Sequence, residues 1–496
     1  MADKAIELVA ERWPLIVTAI LACTITLFVP TLKRKAALWH LPIVGKEKWN
    51  YETRRMEFLL RAEKVYEEGY RKFRAGIFRI TSDMESETVV VGPKYLPELS
   101  KLPESSLSVL DAIDELMSAK YTKVNATAAV ITQTLKTRLT PPLGKLSGHL
   151  GREVKAVMAA EMPECSDWTD MHVHPHLVRV VARVSGSIIV GTQLSRSNEY
   201  IEHAINYALD VINGTQAIRR LNDRVRQAGE FFTPVVATRK EKAKDPAWEK
   251  PDDLLQWLID VQEAQFGQIT PQALAKYQLD VAFAAIHTTT AVALSTFYTL
   301  AVMPEAQIEL REEIRSVLAE TGGEYINTSV QNMKKLDSFI RESVRYYPIG
   351  AAVFMRKTLK PITLSDGTRL PEGIVVQTSV SAASKDSSLF EEPEKFDYLR
   401  FYRQRQNGAA VKGSEAGGKG QMVGVGLDNL VFGFGRHACP GRFFAINEIK
   451  MIVAELLMKY DVKNVEGVEE RYPNLIHGAF FDPDPSRHLL LKEIAL

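Results

Sequence analysis

Hydrophobic and polar positions divide the chain into unlike regions. From Trp13 to Leu32 no residue is charged, and the run is long enough to cross a bilayer as a helix. Lys33, Arg34 and Lys35 follow at once, whereas Lys4 and Arg12 upstream alternate with Asp3, Glu7 and Glu11. The positive-inside rule then predicts a retained membrane anchor over 13–32, with residues 1–12 as a short lumenal N-terminus and the rest cytosolic. A cleaved signal peptide would need a basic start, a shorter apolar core and a small-residue cleavage site, and these are not found. Residues 33–50, with the stiff bend Leu41-Pro42-Ile43-Val44-Gly45, read as a basic, proline-containing linker to one folded region, 51–496.

That region is dominated by helical periodicity, with few strand-like pieces. Val89-Val90-Val91 before Gly92-Pro93 is one strand; Gly373–Gln377, after the turn at Ser365-Asp366-Gly367, is another. The pattern predicts a mainly α protein with a small β portion. Thr270 suits an N-cap and Pro271 a first helical position, and no strong breaker follows until Pro304. The resulting helix is about 48 Å long at the usual rise. From Val281 to Met303 its one readily charged side chain is His287, so it is apolar on all sides and belongs in a core. The run Thr288-Thr289-Thr290 is poor helix material, which suggests a local distortion opening a pocket. Lys412–Gly426 holds six glycines and reads as a flexible surface loop.

Composition narrows the chemistry. Lys plus Arg number 62 and Asp plus Glu 61, a net charge of +1, so no global field points to nucleic acid. The three cysteines, Cys23, Cys165 and Cys439, are far apart and form no CxxC pair, which excludes a disulfide scaffold and a structural zinc site. Cys439 has a special setting: Phe432-Gly433-Phe434-Gly435-Arg436-His437-Ala438-Cys439-Pro440-Gly441-Arg442. The glycines let the backbone approach a flat partner, and a helix from about 441 to 459 places the sulfur at a helix N-terminus, where amides favour a thiolate. Gly433-x-Gly435-x-x-Ala438 also fits a loose dinucleotide fingerprint, but no βαβ unit surrounds it.

This stretch resembles the haem-binding signature of the cytochrome P450 superfamily, at Phe432, Gly435, His437, Cys439 and Gly441. The resemblance implies a cytochrome P450 fold after one N-terminal transmembrane helix, with 51–496 as a haem-thiolate catalytic domain and Cys439 as axial ligand. It also implies that Arg356 and His437 bind haem propionates. Glu342-x-x-Arg345 occurs on a helix and is followed by Pro393–Phe401; by the same resemblance Glu342, Arg345 and Arg400 form a structural triad. The pattern alone is weak, since it recurs at Glu52/Arg55 and Glu312/Arg315. Ala284-Ala285-Ile286-His287-Thr288-Thr289 is similar to the family's oxygen-side motif, making Thr288 the candidate to hydrogen-bond dioxygen and relay protons. Ala285 stands where the family has Gly, and His287 where it has an acid. His287 is either a proton shuttle or a core histidine satisfied by a carbonyl. Arg138 is a weak candidate for an early haem contact. Phe283, Ala284, Ile349, Ala351, Ala352 and Phe480 are candidate substrate-pocket walls.

The overall style is similar to fungal secondary-metabolism members, such as kaurene-oxidase-like terpenoid hydroxylases. The function implied is insertion of one oxygen atom from dioxygen into a lipophilic terpenoid or terpenoid-derived molecule. NADPH electrons would arrive through a separate cytochrome P450 reductase. The placement implied is the endoplasmic reticulum membrane, single-pass, with a cytosolic catalytic domain; Asn125, Asn213 and Asn327 would then stay unglycosylated. The alternative is a haem-thiolate isomerase or dehydratase that needs no dioxygen, which Thr288 disfavours. A haem sensor would need an output domain, and only a short tail follows residue 460.

Overall fold

The computed structural model describes residues 36–494, apart from 49, 74–75, 126–127, 213–217 and 408–419, together with scattered positions between 12 and 33. Nine of the twenty positions of the anchor expected over 13–32 therefore lie outside the described residues. The positions described there are helical, with Trp13, Leu15, Val17, Leu21 and Ile25 exposed.

The first long helix is α1 (Tyr51–Lys72), started by Asn50, whose side chain accepts from the Thr53 amide at 2.7 Å. Strands β1 (Ile77–Ile80), β2 (Thr88–Val91) and β3 (Leu107–Ser108) follow, then α2 (Val109–Leu116), α3 (Leu143–Glu161) and β4 (Thr169–Met171). A helical block comes next: α4 (Val173–Ile189), α5 (Asn198–Ile212), α6 (Ile218–Lys242), α7 (Leu254–Gln265), α8 (Pro271–Leu300), α9 (Pro304–Ala319) and α10 (Lys334–Tyr346). The chain then returns to strands β5 (Ala352–Thr358), β6 (Ile362–Thr363), β7 (Arg369–Leu370) and β8 (Val375–Ser379). It ends with α11 (Arg442–Lys459), β9 (Tyr460–Asn464), β10 (Asn474–His477), β11 (Phe480–Pro483) and β12 (Leu489–Glu493).

The largest sheet has the order β1-β2-β8-β5-β3. Only β2 and β8 run parallel within it, with Val89 opposite Val376. This small sheet carries its own core of Val89, Val91, Leu107, Ile374 and Val376, beside the much larger helical core. Helix α8 is the axis of the helical part: α4, α5, α6, α10 and α11 all pack on it. Its C-terminal half, from Thr289 to Leu300, is wholly buried, and each large apolar side chain there stabilises by roughly 1.5–3 kcal/mol. Among the described residues α8 is the helix long and apolar enough to cross a membrane, but most of it is inside the protein.

Two expectations change. Helix α8 is unbroken, with Thr270 capping it through the Ala273 amide. Of the threonine run, Thr288 donates back to the Ala284 carbonyl at 2.7 Å, as Thr296 and Thr299 do further along to Val292 and Ser295 at 2.7 and 2.8 Å, whereas the buried Thr290 hydroxyl finds no partner among the described residues. The pocket is opened by small side chains on this helix, not by a kink. Of the glycine-rich segment, 412–419 lie outside the described residues, but the remainder is no loose surface loop. Met422 is fully buried, its amide donates to Asp337 at 2.9 Å, and Asn429 ties the carbonyls of Met422 and Gly424.

Candidate active site

The cysteine loop is shaped by its backbone. Gly433 and Gly435 have φ of 82° and 69°, in the left-handed region that side chains disfavour. A Cβ on Gly435 would also come within 2.9 Å of Ser100. The Cys439 amide donates to the Phe432 carbonyl at 2.8 Å, and Ala438 to Gly435 at 3.0 Å, closing the loop just before α11. Cys439 is half-buried and borders a cavity of about 410 Å³, a size ordinary for small-molecule sites. Burial pushes its thiol up, whereas the amides of Gly441 and Arg442 and the Arg442 guanidinium pull it down. The helix N-terminus alone therefore does not outweigh desolvation, contrary to the simple dipole expectation; a bound cation would supply the rest.

Arg356 reaches the same cavity through an irregularity in β5. The register against β8 shifts between Val353 and Arg356, and Phe354 sits at φ 55°. Such a bulge re-aims side chains. Arg356 is buried, stacks on the Phe354 ring at 4.2 Å and donates to the Met355 carbonyl at 2.8 Å. Burial pushes its guanidinium down to about 10, countered by Glu104 and reinforced by Arg436. His437 lies 3.6 Å from Glu104 and accepts from Arg436 Nε at 3.0 Å; burial and then Arg356 hold its imidazole below the usual range. The Arg356 guanidinium and the His437 ring at the cavity edge offer donors that suit carboxylates.

The other wall is α8. Ala284 and Thr288, one turn apart, are exposed within an otherwise buried segment, and His287 is half-buried. Thr288, His287 and Ala291 line the cavity with Cys439, Phe432 and Gly433. Ile349, Ala352 and Phe480 are on the wall, but Phe283, Ala284 and Ala351 are not. Phe283 packs on the helical core, Ala284 is exposed on α8 beside the cavity residues with its carbonyl accepting from Thr288, and fully buried Ala351 belongs to the cluster of Phe58 and Tyr66. Arg138 is exposed on a short π-helical turn, away from the cavity.

Beneath the site, Glu342, Arg345 and Arg400 meet. Glu342 accepts from Arg345 at 2.7 and 2.8 Å, from Arg400 Nε at 3.3 Å and from the Asp397 amide at 2.9 Å. Remaining guanidinium donors reach the carbonyls of Ser384, Pro393, Glu392 and Lys395. Sequence reasoning missed a second buried pair, Arg341 with Asp428 at 2.6 Å, which holds the segment entering the cysteine loop. It also missed Val109, Ile113, Leu116, Val353 and Asp482 on the wall, since nothing local in the chain signals them.

A sulfur, a close-approach glycine loop, a buried guanidinium at the edge and a helix wall with small residues together fit a haem held by a cysteine. Comparison with known proteins decides the matter. The cytochrome P450 family model matches residues 170–489. The chain is a cytochrome P450. Among its relatives, cytochrome P450 monooxygenase ATR3 of Stachybotrys chlorohalonatus is 34% identical, over 82% of this chain and 89% of that protein. Cytochrome P450 monooxygenase AN1598 of Emericella nidulans is 33% identical, over 95% of this chain and 90% of that protein. In fold, this P450 is similar to cyanobacterial CYP120A1 with bound retinoic acid, at a TM-score of 0.68, with 16% identity and coverage of 88% and 96%. It is thus a monooxygenase that works with thiolate-ligated haem, a reductase partner and a small-molecule substrate.

Proposed function

We propose that this P450 inserts one oxygen atom into a lipophilic terpenoid or terpenoid-derived scaffold in fungal secondary metabolism, with Cys439 as the haem ligand. The observation that carries the reading is one mostly apolar cavity bordered by both Cys439 and Thr288. Haem on a thiolate supplies the oxygen-activating chemistry, because the sulfur pushes electron density onto iron and favours O–O cleavage. The chain's own residues do the rest. Arg356 and His437 would hold the carboxylates of the group. Gly433, Gly435 and Gly441 keep the loop free of side chains beside the sulfur. Glu342, Arg345 and Arg400 tie the 384–397 segment to α10. Thr288 presents its hydroxyl oxygen to the cavity and moves protons there. Ile349, Ala352 and Phe480 exclude water and favour an apolar substrate.

The fungal cytochrome P450 monooxygenases among its relatives support the fungal monooxygenase part of this reading. The uncharged run 13–32 and its basic flank support an anchor in the endoplasmic reticulum membrane, with 1–12 lumenal, 33–50 a linker and 51–496 the cytosolic catalytic domain. The test is co-expression with a cytochrome P450 reductase and a mass-spectrometric screen of terpenoid and indole-terpenoid scaffolds. A gain of one oxygen that disappears in Cys439→Ala supports the reading. Unchanged turnover in that variant rejects it.

A further inference from the structure

The polar groups on the cavity wall fall into two sets. Cys439, His437 and Arg356 belong to the haem-holding side; Thr288, His287 and Asp482 remain. His287 comes from α8 and Asp482 from β11, and His287 Nε2 lies 3.4 Å from Asp482 Oδ1. Their side chains are 31% and 24% exposed, so both open on the cavity without being lost in solvent. The β11 strand is pinned there by a bridge between Gly350 and Phe480 and by the Ala351 amide on the Ala479 carbonyl at 2.8 Å. An acid is therefore restored, from a different element, beside the position where the family motif carries one.

Behind the pair stands His174 of α4, which feels the charges of His172, His287 and Asp482. His172 stacks on His488 with ring centroids 4.9 Å apart and planes 1° from parallel. Both are exposed, and His488 Nδ1 lies 2.6 Å from Asp170 Oδ1. Burial, then His172 and His287, push His174 down to about 4, so it adds no charge beside the pair near neutral pH. The titratable groups facing the pair are thus His174 and, across the cavity, Arg356, His437 and Cys439.

We propose that His287 and Asp482 are the proton-delivery pair of this enzyme. The proposal rests on the monooxygenase reading. Each turnover joins one substrate C–H, one dioxygen, two electrons from NADPH and two protons, and yields one hydroxylated product and one water. His287 hands a proton to Thr288, whose hydroxyl passes on its own, and His287 is reprotonated from the solvent side. Asp482 is a positioning residue that orients the ring and offsets its charge.

The test uses the full-length protein with haem and a reductase, and needs no substrate. The absorbance of the reduced carbon-monoxide complex is recorded first. A wild type without the thiolate-type band refutes the monooxygenase reading itself; with the band present, the variants judge the pair. One readout is the infrared stretch of bound carbon monoxide against pH. The other is the share of NADPH electrons ending in water against hydrogen peroxide. Expected are a wild-type stretch that changes with pH, a pH response lost in His287→Phe and altered in Asp482→Asn, and a water share lower by about tenfold or more in both. The swapped variant H287D/D482H recovers part of that share. An Asp482→Asn protein matching wild type in both readouts overturns the proposal, as does a swap with no recovery.

Discussion

Glu342 offers a direct measure of how burial converts a common pattern into a structural device. Its side chain is fully buried and takes four hydrogen bonds, three from two guanidiniums and one from the Asp397 amide. Glu342→Leu leaves Arg345 and Arg400 as buried charges without their counter-ion. Breaking such a buried pair costs about 3–5 kcal/mol, or roughly two to four powers of ten in the folding equilibrium. Glu342→Gln keeps the shape but turns one oxygen into a donor facing Arg345 and removes the charge. Its cost is that of a charged hydrogen bond, about 1.5–3 kcal/mol. The control is Glu52, which has the same spacing to Arg55 at 3.1 Å but side chains 62% and 38% exposed. Glu52→Gln should stay within about 0.5 kcal/mol. Urea midpoints at constant slope, followed by tryptophan fluorescence and haem absorbance, rank the three variants. Equal midpoints for the Glu342 and Glu52 variants would refute the argument from burial.

Three further outcomes follow from named contacts. Gly435→Ala forces a Cβ to within 2.9 Å of Ser100 at φ 69°, and should lower stability by about 1–2 kcal/mol or more, read as a lower urea midpoint with less haem bound. Arg356→Leu removes a buried cation from the cavity edge; loss of one charged contact of about 1.5–3 kcal/mol should speed haem transfer to apomyoglobin roughly tenfold to a hundredfold. Burial pushes Glu448 up to about 8 from 4.5, partly offset by the Ser185 hydroxyl. Because the folded protein holds that proton more tightly, its contribution is full below about 4.5 and lost as pH rises through about 8. Glu448→Gln keeps a partner for Ser185 and should flatten the fall of the urea midpoint over that window, gaining stability at its alkaline end.

Local chemistry was enough to read much of this protein from its residues in order. Cys439 in its glycine frame, the cap Thr270-Pro271 and the apolar run of α8 are short-range signals, in which neighbours in the chain dictate backbone shape. Val89-Val90-Val91 before Gly92-Pro93 is another, and it became β2. The family and its cofactor were legible for the same reason.

Long-range packing decided the rest. Three Glu-x-x-Arg patterns are equivalent as text, and only the fold buries Glu342 and brings Arg400 to it. Ala351 and Ala352 are adjacent, yet the pleat turns one into the core and the other onto the cavity. Met422 sits among glycines and is nonetheless buried, because Asp337 and Asn429 from elsewhere satisfy its backbone. Asp482 meets His287 across nearly two hundred residues of chain. A side chain's neighbours along the sequence set its conformation, but its electrostatic partners and its exposure exist only once distant elements have packed.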